Sequence, residues 1–288
     1  METDVNAIVV FTLVFLVVPG AVALRAFRFP REGQLAEWAR TYGLELTDDN
    51  RPVVIGYLRT TRRFRAVGGA GGWFIGGLPL LIGQPLPLGI DNLSLALAGF
   101  FGGAALAELR FSRRGAGPTP RRASLVPREM DDYVAPWVRR VSWAAVALAV
   151  TLLCVYAALD RVGDGGRPAI EVLPGVLGAA TVVAMAEWAQ RRLVHRPQPL
   201  SAPDLVAADD ALRASSASTA AGAGLITALL ALSNVLSSIL LATRAWPVRW
   251  LILVAGLGIL ALIVASLVSV FHPDPWWFGR RHSERAAA

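Results

Sequence analysis

The sequence predicts an all-α, polytopic transmembrane bundle of about seven helices, and three observations carry that prediction. The 288 residues are 55% hydrophobic and only 17% charged, with a mean hydropathy of +0.50, where a soluble chain carries roughly a quarter charged residues. The apolar residues gather in blocks of roughly 20, the length that crosses a hydrocarbon core of ~30 Å. The charges fall between the blocks, and arginine is distributed unevenly over the connections.

Seven segments qualify: 7–24, 67–90, 92–110, 141–159, 172–189, 219–242 and 250–271. The second and third form a tight hairpin around Asp91. Pro79, Pro85 and Pro87 make the outer half of the second the least regular, and a re-entrant path fits it as well as a full crossing. If the first segment enters from outside, the inner connections 24–66, 110–141, 190–218 and 272–288 hold 24 of the 28 arginines. The positive-inside rule therefore predicts an outer N-terminus and a cytoplasmic C-terminus in the plasma membrane. The first segment is expected to stay as an anchor, because residues 1–6 carry Glu2 and Asp4 and none of the positive charge of a signal peptide. Trp143, Trp188, Trp246, Trp250, Trp276 and Trp277 fall near segment ends, where amphipathic rings favour the interface.

Between the first two segments, 34–42 can form a short helix with Leu35 and Trp38 on one face, stopped by Gly43. Thr47-Asp48-Asp49-Asn50 reads as the start of the next helix, with Pro52 in its first turn. Val54, Leu58, Thr61 and Phe64 recur at helical spacing, and Arg59, Arg62, Arg63 and Arg65 supply a basic side. The pattern predicts an amphipathic helix on anionic lipid headgroups. A solvated helix packed on the bundle is the plainer alternative. The net charge of +7 does not point to nucleic acid, because no recognition fold or aromatic platform accompanies the arginines.

An internal duplication with an offset of about 79 residues relates two stretches. Ala107-Glu108, Arg113-Arg114, Pro118, Pro120, Leu125-Val126 and Asp131-Asp132 recur as Ala186-Glu187, Arg191-Arg192, Pro197, Pro199, Leu205-Val206 and Asp209-Asp210. Each copy is a descending helix, an inner connection and an ascending helix, so the copies form a parallel repeat. The expected organisation is an anchor and amphipathic segment (1–66), a Gly-rich hairpin (67–110), the two copies (92–171 and 172–242), and a last helix with its tail (243–288).

The duplication pairs Glu108 with Glu187. Each lies about 16 residues into its helix, ~24 Å from the outer end, and an ionisable residue at such depth is a candidate functional site. The structural alternative is that Glu187 pairs with Arg191 at i+4, while Glu108 reaches Arg113 or snorkels. Asn234, with Ser233, Ser237 and Ser238, makes a polar intramembrane patch that interhelical hydrogen bonding accounts for. Gly68, Gly72 and Gly76, with Gly99, Gly102 and Gly103, predict close backbone approach in the hairpin or at a contact with another subunit. Cys154, the single cysteine, excludes an intramolecular disulfide and is expected as a small buried residue.

Recognisable chemistry is sparse. His195, His272 and His282 all fall in inner connections, no HExxH or Gly-x-Ser-x-Gly spacing occurs, and no phosphate-cradling loop is visible. Glu187 and Arg191 share the Glu-x-x-x-Arg spacing of prenyl-endopeptidase-type membrane proteases, but the doubled Glu and the intramembrane histidines are missing. No catalytic residue, metal ligand or cofactor is expected.

The stretches Thr47-Asp48-Asp49-Asn50-Arg51-Pro52, 57–63 (YLRTTRR) and 122–128 (RASLVPR) resemble multi-pass membrane proteins of GC-rich, actinobacterial-type bacteria that have no assigned activity. The resemblance implies a membrane protein and adds no mechanism. The expected role is a non-enzymatic accessory or scaffolding protein whose partners are the bilayer, anionic headgroups and another membrane protein or a second copy. The alternative is a small transporter or permease with Glu108 and Glu187 near an inner vestibule.

Overall fold

The computed structural model describes residues 31–81, 92–114, 121–122, 129–160, 168–195, 198–199, 202–242 and 246–271, with isolated positions between 17 and 27. Among these, seven α-helices make up nearly all the regular structure. They are α1 (Glu32–Thr41), α2 (Arg51–Leu81), α3 (Asn92–Arg114), α4 (Pro136–Asp160), α5 (Ala169–Val194), α6 (Pro203–Ala242) and α7 (Trp246–Phe271). A 3₁₀ turn at Met130–Asp132 and a two-residue antiparallel ladder complete the inventory. The ladder joins β1 (Arg121–Arg122) to β2 (Gln198–Pro199). The first apolar segment and the tail beyond 271 lie outside the described residues, as do Pro85 and Pro87.

Among the described residues, three helices are long and apolar enough to cross a membrane: Pro136–Ala158 within α4, Ala169–Val194 in α5, and Pro203–Leu240 within α6. Shorter apolar stretches occur at Ala96–Glu108 and Arg249–Ile259. Three of the seven expected segments, 141–159, 172–189 and 219–242, correspond to these helices. The boundaries also differ from expectation. Helix α2 is continuous from Arg51, so the basic turn and the Gly-rich stretch are one element. Helix α6 begins at Pro203, well inside what reads as a connection.

The helix ends follow local chemistry. Gly43 takes φ +61°, and Leu44 N–H donates to Ala39 O while Gly43 N–H donates to Arg40 O. This is the double bond pattern that closes a helix on a left-handed glycine. Ahead of α2, Asn50 Oδ1 accepts from Thr47 N–H at 3.0 Å, and Thr47 Oγ1 accepts from Asn50 N–H at 3.4 Å. Asn50 is fully buried, so these reciprocal bonds satisfy polar groups that water cannot reach.

The chain divides into two compact units, and α2 and α3 form the body of the first. Their packing is set by glycine. A Cβ on Gly68 would lie 2.0 Å from Gly99 O, one on Gly99 2.0 Å from Gly68 O, and one on Gly103 2.0 Å from Phe64 O. At each position only hydrogen fits, which is the geometry of Cα–H···O contacts between closely approaching helices. Val54, Tyr57, Thr61 and Ala66 are buried on α2, as are Phe101, Ala104 and Ala107 on α3.

The second unit holds α4 to α7. Helix α4 buries Ser142, Ala145, Val146, Ala149, Leu153 and Tyr156, and α5 buries Val172, Val176, Ala179, Val183, Ala186 and Gln190, each set recurring at a helical period. Both pack on α6, as does α7. Helix α6 is buried nearly all round from Ala211 to Ile226. Its alanines, serines and glycines let three neighbours approach one axis. Cys154 corrects an expectation: it is exposed, because the buried stripe of α4 passes through Leu153 and Tyr156 and turns position 154 outward.

Candidate functional site

Two knots of charge organise the second unit. The first is built on Glu187, in the penultimate turns of α5. Its Oε1 accepts from Arg191 Nη2 at 2.7 Å and from Arg139 Nη2 at 3.3 Å, and its Oε2 accepts from Trp143 Nε1 at 2.9 Å. Arg139 also reaches Asp131 Oδ1 at 3.3 Å. The carboxylate is only 18% exposed, so these donors replace the water it has lost. Glu187 ties the start of α4 to the end of α5.

The second knot is built on Arg213, which is 1% exposed. Its Nε and Nη2 donate to Asp209 Oδ2 at 2.8 and 2.6 Å, one turn earlier on α6. Nη1 lies 3.4 Å from Leu193 O and 3.5 Å from Val194 O, carbonyls of the last turn of α5. A guanidinium at a helix C-terminus meets both unpaired acceptors and the negative end of the dipole. Close by on α6, Ser215 Oγ accepts from Trp38 Nε1 at 3.4 Å. Hydropathy reading misses this knot, although Asp209-x-x-x-Arg213 at i,i+4 was a usable signal.

The remaining sequence-derived candidates are distributed. Glu108 lies in the first unit, where its Oε1 accepts from Tyr57 Oη at 2.7 Å. The Arg113 side chain lies outside the described residues. Arg59, Arg62, Arg63 and Arg65 are half-buried on α2. Arg62 donates to Gln34 Oε1 at 3.0 Å, Arg63 lies 5.1 Å from the Phe27 ring centre, and Arg65 5.7 Å from that of Phe100. Burial, then the like charge of Arg65, lower the Arg62 pKa from the ordinary arginine value, and the group stays protonated. Asn234 faces α5, with its Nδ2 3.6 Å from where a Cβ on Gly175 would lie, and its carbonyl accepts from Ser238 Oγ. The structure therefore brings Glu187 together with Arg191, and Glu108 together with Tyr57.

Beside the Glu187 knot lies a small recess, walled by α4 and α5 and floored by Ala221 and Gly224 of α6. Among the described residues, no three His, Cys, Asp or Glu side chains come together as a metal ion requires. Comparison with protein families, with curated protein sequences and with solved structures finds no match to this chain.

Proposed function

We propose that the chain is a seven-crossing plasma-membrane protein, with its N-terminus outside and C-terminus cytoplasmic, that serves as a non-enzymatic accessory or scaffolding subunit. The observation that supports this best is the Glu187 knot. A carboxylate near the end of an apolar helix has its donors supplied by two arginines and a tryptophan, and so holds helices together. A permease reading asks for carboxylates turned toward a shared cavity, and no observation favours it over the scaffold.

The duplication belongs to this proposal too. The ladder register, Arg121 with Pro199 and Arg122 with Gln198, lies in the two connections that the repeat makes equivalent. Under a 79-residue offset Pro120 corresponds to Pro199.

Gentle purification from native membranes, followed by mass spectrometry of co-purifying proteins, tests the role. A stoichiometric protein partner or a stable homo-oligomer is expected. A monomer with no protein partner overturns the accessory reading. Single cysteines placed in 24–66 and 110–141, in a Cys154→Ala background, test the orientation, with labelling expected only from the inner side.

A further inference from the structure

Helices α2 and α3 run antiparallel, and their contacts fix the register. Tyr57 donates to Glu108, Gly103 lies against the Phe64 carbonyl, and Gly68 packs on Gly99. Positions rise on one helix as they fall on the other. Arg59, Arg62, Arg63 and Arg65 fall between the first and last of these contacts, so they stand level with the stretch of α3 from Gly99 to Glu108. Arg110, Arg113 and Arg114 then close α3 at the same end. The register thus gathers arginines from two separate stretches of chain into one basic end of the hairpin.

The charge there is one-sided. Helix α2 carries five arginines and no acid, and α3 carries three arginines and one acid, Glu108. Glu32 of α1 pairs with Arg51, which leaves the balance strongly positive. Arg59 stands three and four residues before Arg62 and Arg63, and Arg62 three before Arg65. Like charges at these spacings destabilise a helix, and an anion among them relieves the repulsion. The four keep partial exposure, and Arg110 is exposed. Val67 and Phe74 continue the face of Arg63, four and eleven residues on, and both are exposed. An apolar face that ends in arginine is how a helix meets the headgroup layer. Arg110 and Arg65 each lie 5.7 Å from the ring centres of Phe64 and Phe100, so arginine already holds a ring face that a nucleic-acid base would stack on.

We propose that the arginine-rich end of the α2–α3 hairpin is a docking surface for the phosphates of anionic phospholipids, with Arg110 of α3 acting beside the arginines of α2. The acyl chains run along the face of Val67 and Phe74. A basic helix lying flat on the bilayer would enlist α2 alone, whereas the hairpin register makes the surface a property of both helices. The proposal rests on the membrane reading of the chain and is independent of any protein partner.

The test is native mass spectrometry of the full chain in micelles doped equally with phosphatidylglycerol and phosphatidylcholine. Phosphatidylglycerol should be retained in preference. Arg110→Gln should cut that preference about fivefold, the weight of one basic side chain at an anionic surface, and Arg63→Gln should cut it as much. Arg110→Lys and Arg63→Lys keep the charge and should keep the preference, which separates charge from folding. Arg249→Gln, outside the hairpin, should leave it unchanged. Equal retention of the two lipids overturns the proposal, and a preference that survives Arg110→Gln overturns the two-helix surface. Displacement of the lipid by inorganic phosphate or by a short DNA duplex overturns the phospholipid as its occupant. An alkaline wash of membranes checks the reading beneath. A chain released by the wash overturns the membrane reading along with the proposal, whereas a retained chain without lipid preference overturns the proposal alone.

Discussion

Replacing Gly99 with alanine should break the α2–α3 hairpin, while the same change three residues later at Gly102 should not. A methyl group on Gly99 would lie 2.0 Å from Gly68 O, so the backbones must part by about 1.4 Å to restore ordinary contact near 3.4 Å. The atom met is a main-chain carbonyl, which has no rotamer to escape into. Opening a gap of that size forfeits a quarter to a half or more of each dispersion contact along the seam. A cost of about 3 kcal/mol follows, at the upper end for overpacking, or a fall of ~6–12 °C in Tm for a chain of this size. Gly102 has nothing within 4 Å of its Cβ position. There alanine gains helix propensity, up to ~1 kcal/mol, and Tm should hold or rise. Thermal melts of both variants in detergent micelles, followed by circular dichroism, decide the matter. Shifts of the same sign and size would refute the assignment of the hairpin contact to glycine.

Arg213→Met should destabilise by about 3–5 kcal/mol, because it removes the buried guanidinium that donates to Asp209 and reaches the α5 carbonyls; Asp209→Asn keeps an acceptor for it and should cost less, and melts of the two variants compare them. Tyr57→Phe removes the donor to a part-buried Glu108 and should lower stability by about 1–2 kcal/mol, read by urea titration of the micellar protein. Cys154, exposed on α4, should react with an apolar maleimide in bilayers and resist a charged one; equal labelling by both would place it in water. Cysteines at 121 and 199, in a Cys154→Ala background, should cross-link on oxidation through the ladder pairing. An absence of cross-link would remove the ladder.

The elements most legible in the sequence are those governed by local chemistry. Gly43 stops α1 and Thr47 to Asn50 start α2 because left-handed backbone and reciprocal side-chain bonds involve neighbours only. The apolar blocks of α4 and α5 are equally plain. What escapes is whatever depends on which residues meet. Helix α6 extends back to Pro203 through a charged stretch in which Arg213 pairs with Asp209 one turn earlier, and a hydropathy window counts those charges without seeing the pairing. Cys154 faces outward for a similar reason: its hydropathy is ambiguous, and only the phase of the buried stripe decides its side. Of the site, the Glu187–Arg191 spacing is visible in the sequence. Arg139 and Trp143, 48 and 44 residues away, carry no local signal.

The contact between Trp38 and Ser215 spans 177 residues of chain. At a synthesis rate of 5–20 residues per second, the partner of Trp38 emerges roughly 10–35 s after Trp38 itself. For that interval α1 has nothing on α6 to donate to, and its tryptophan side chain is presented to whatever surrounds the nascent chain. The junction is thus a timer built into chain order. Truncations that end before 215 would leave this helix permanently waiting, and quality-control proteases would meet it first.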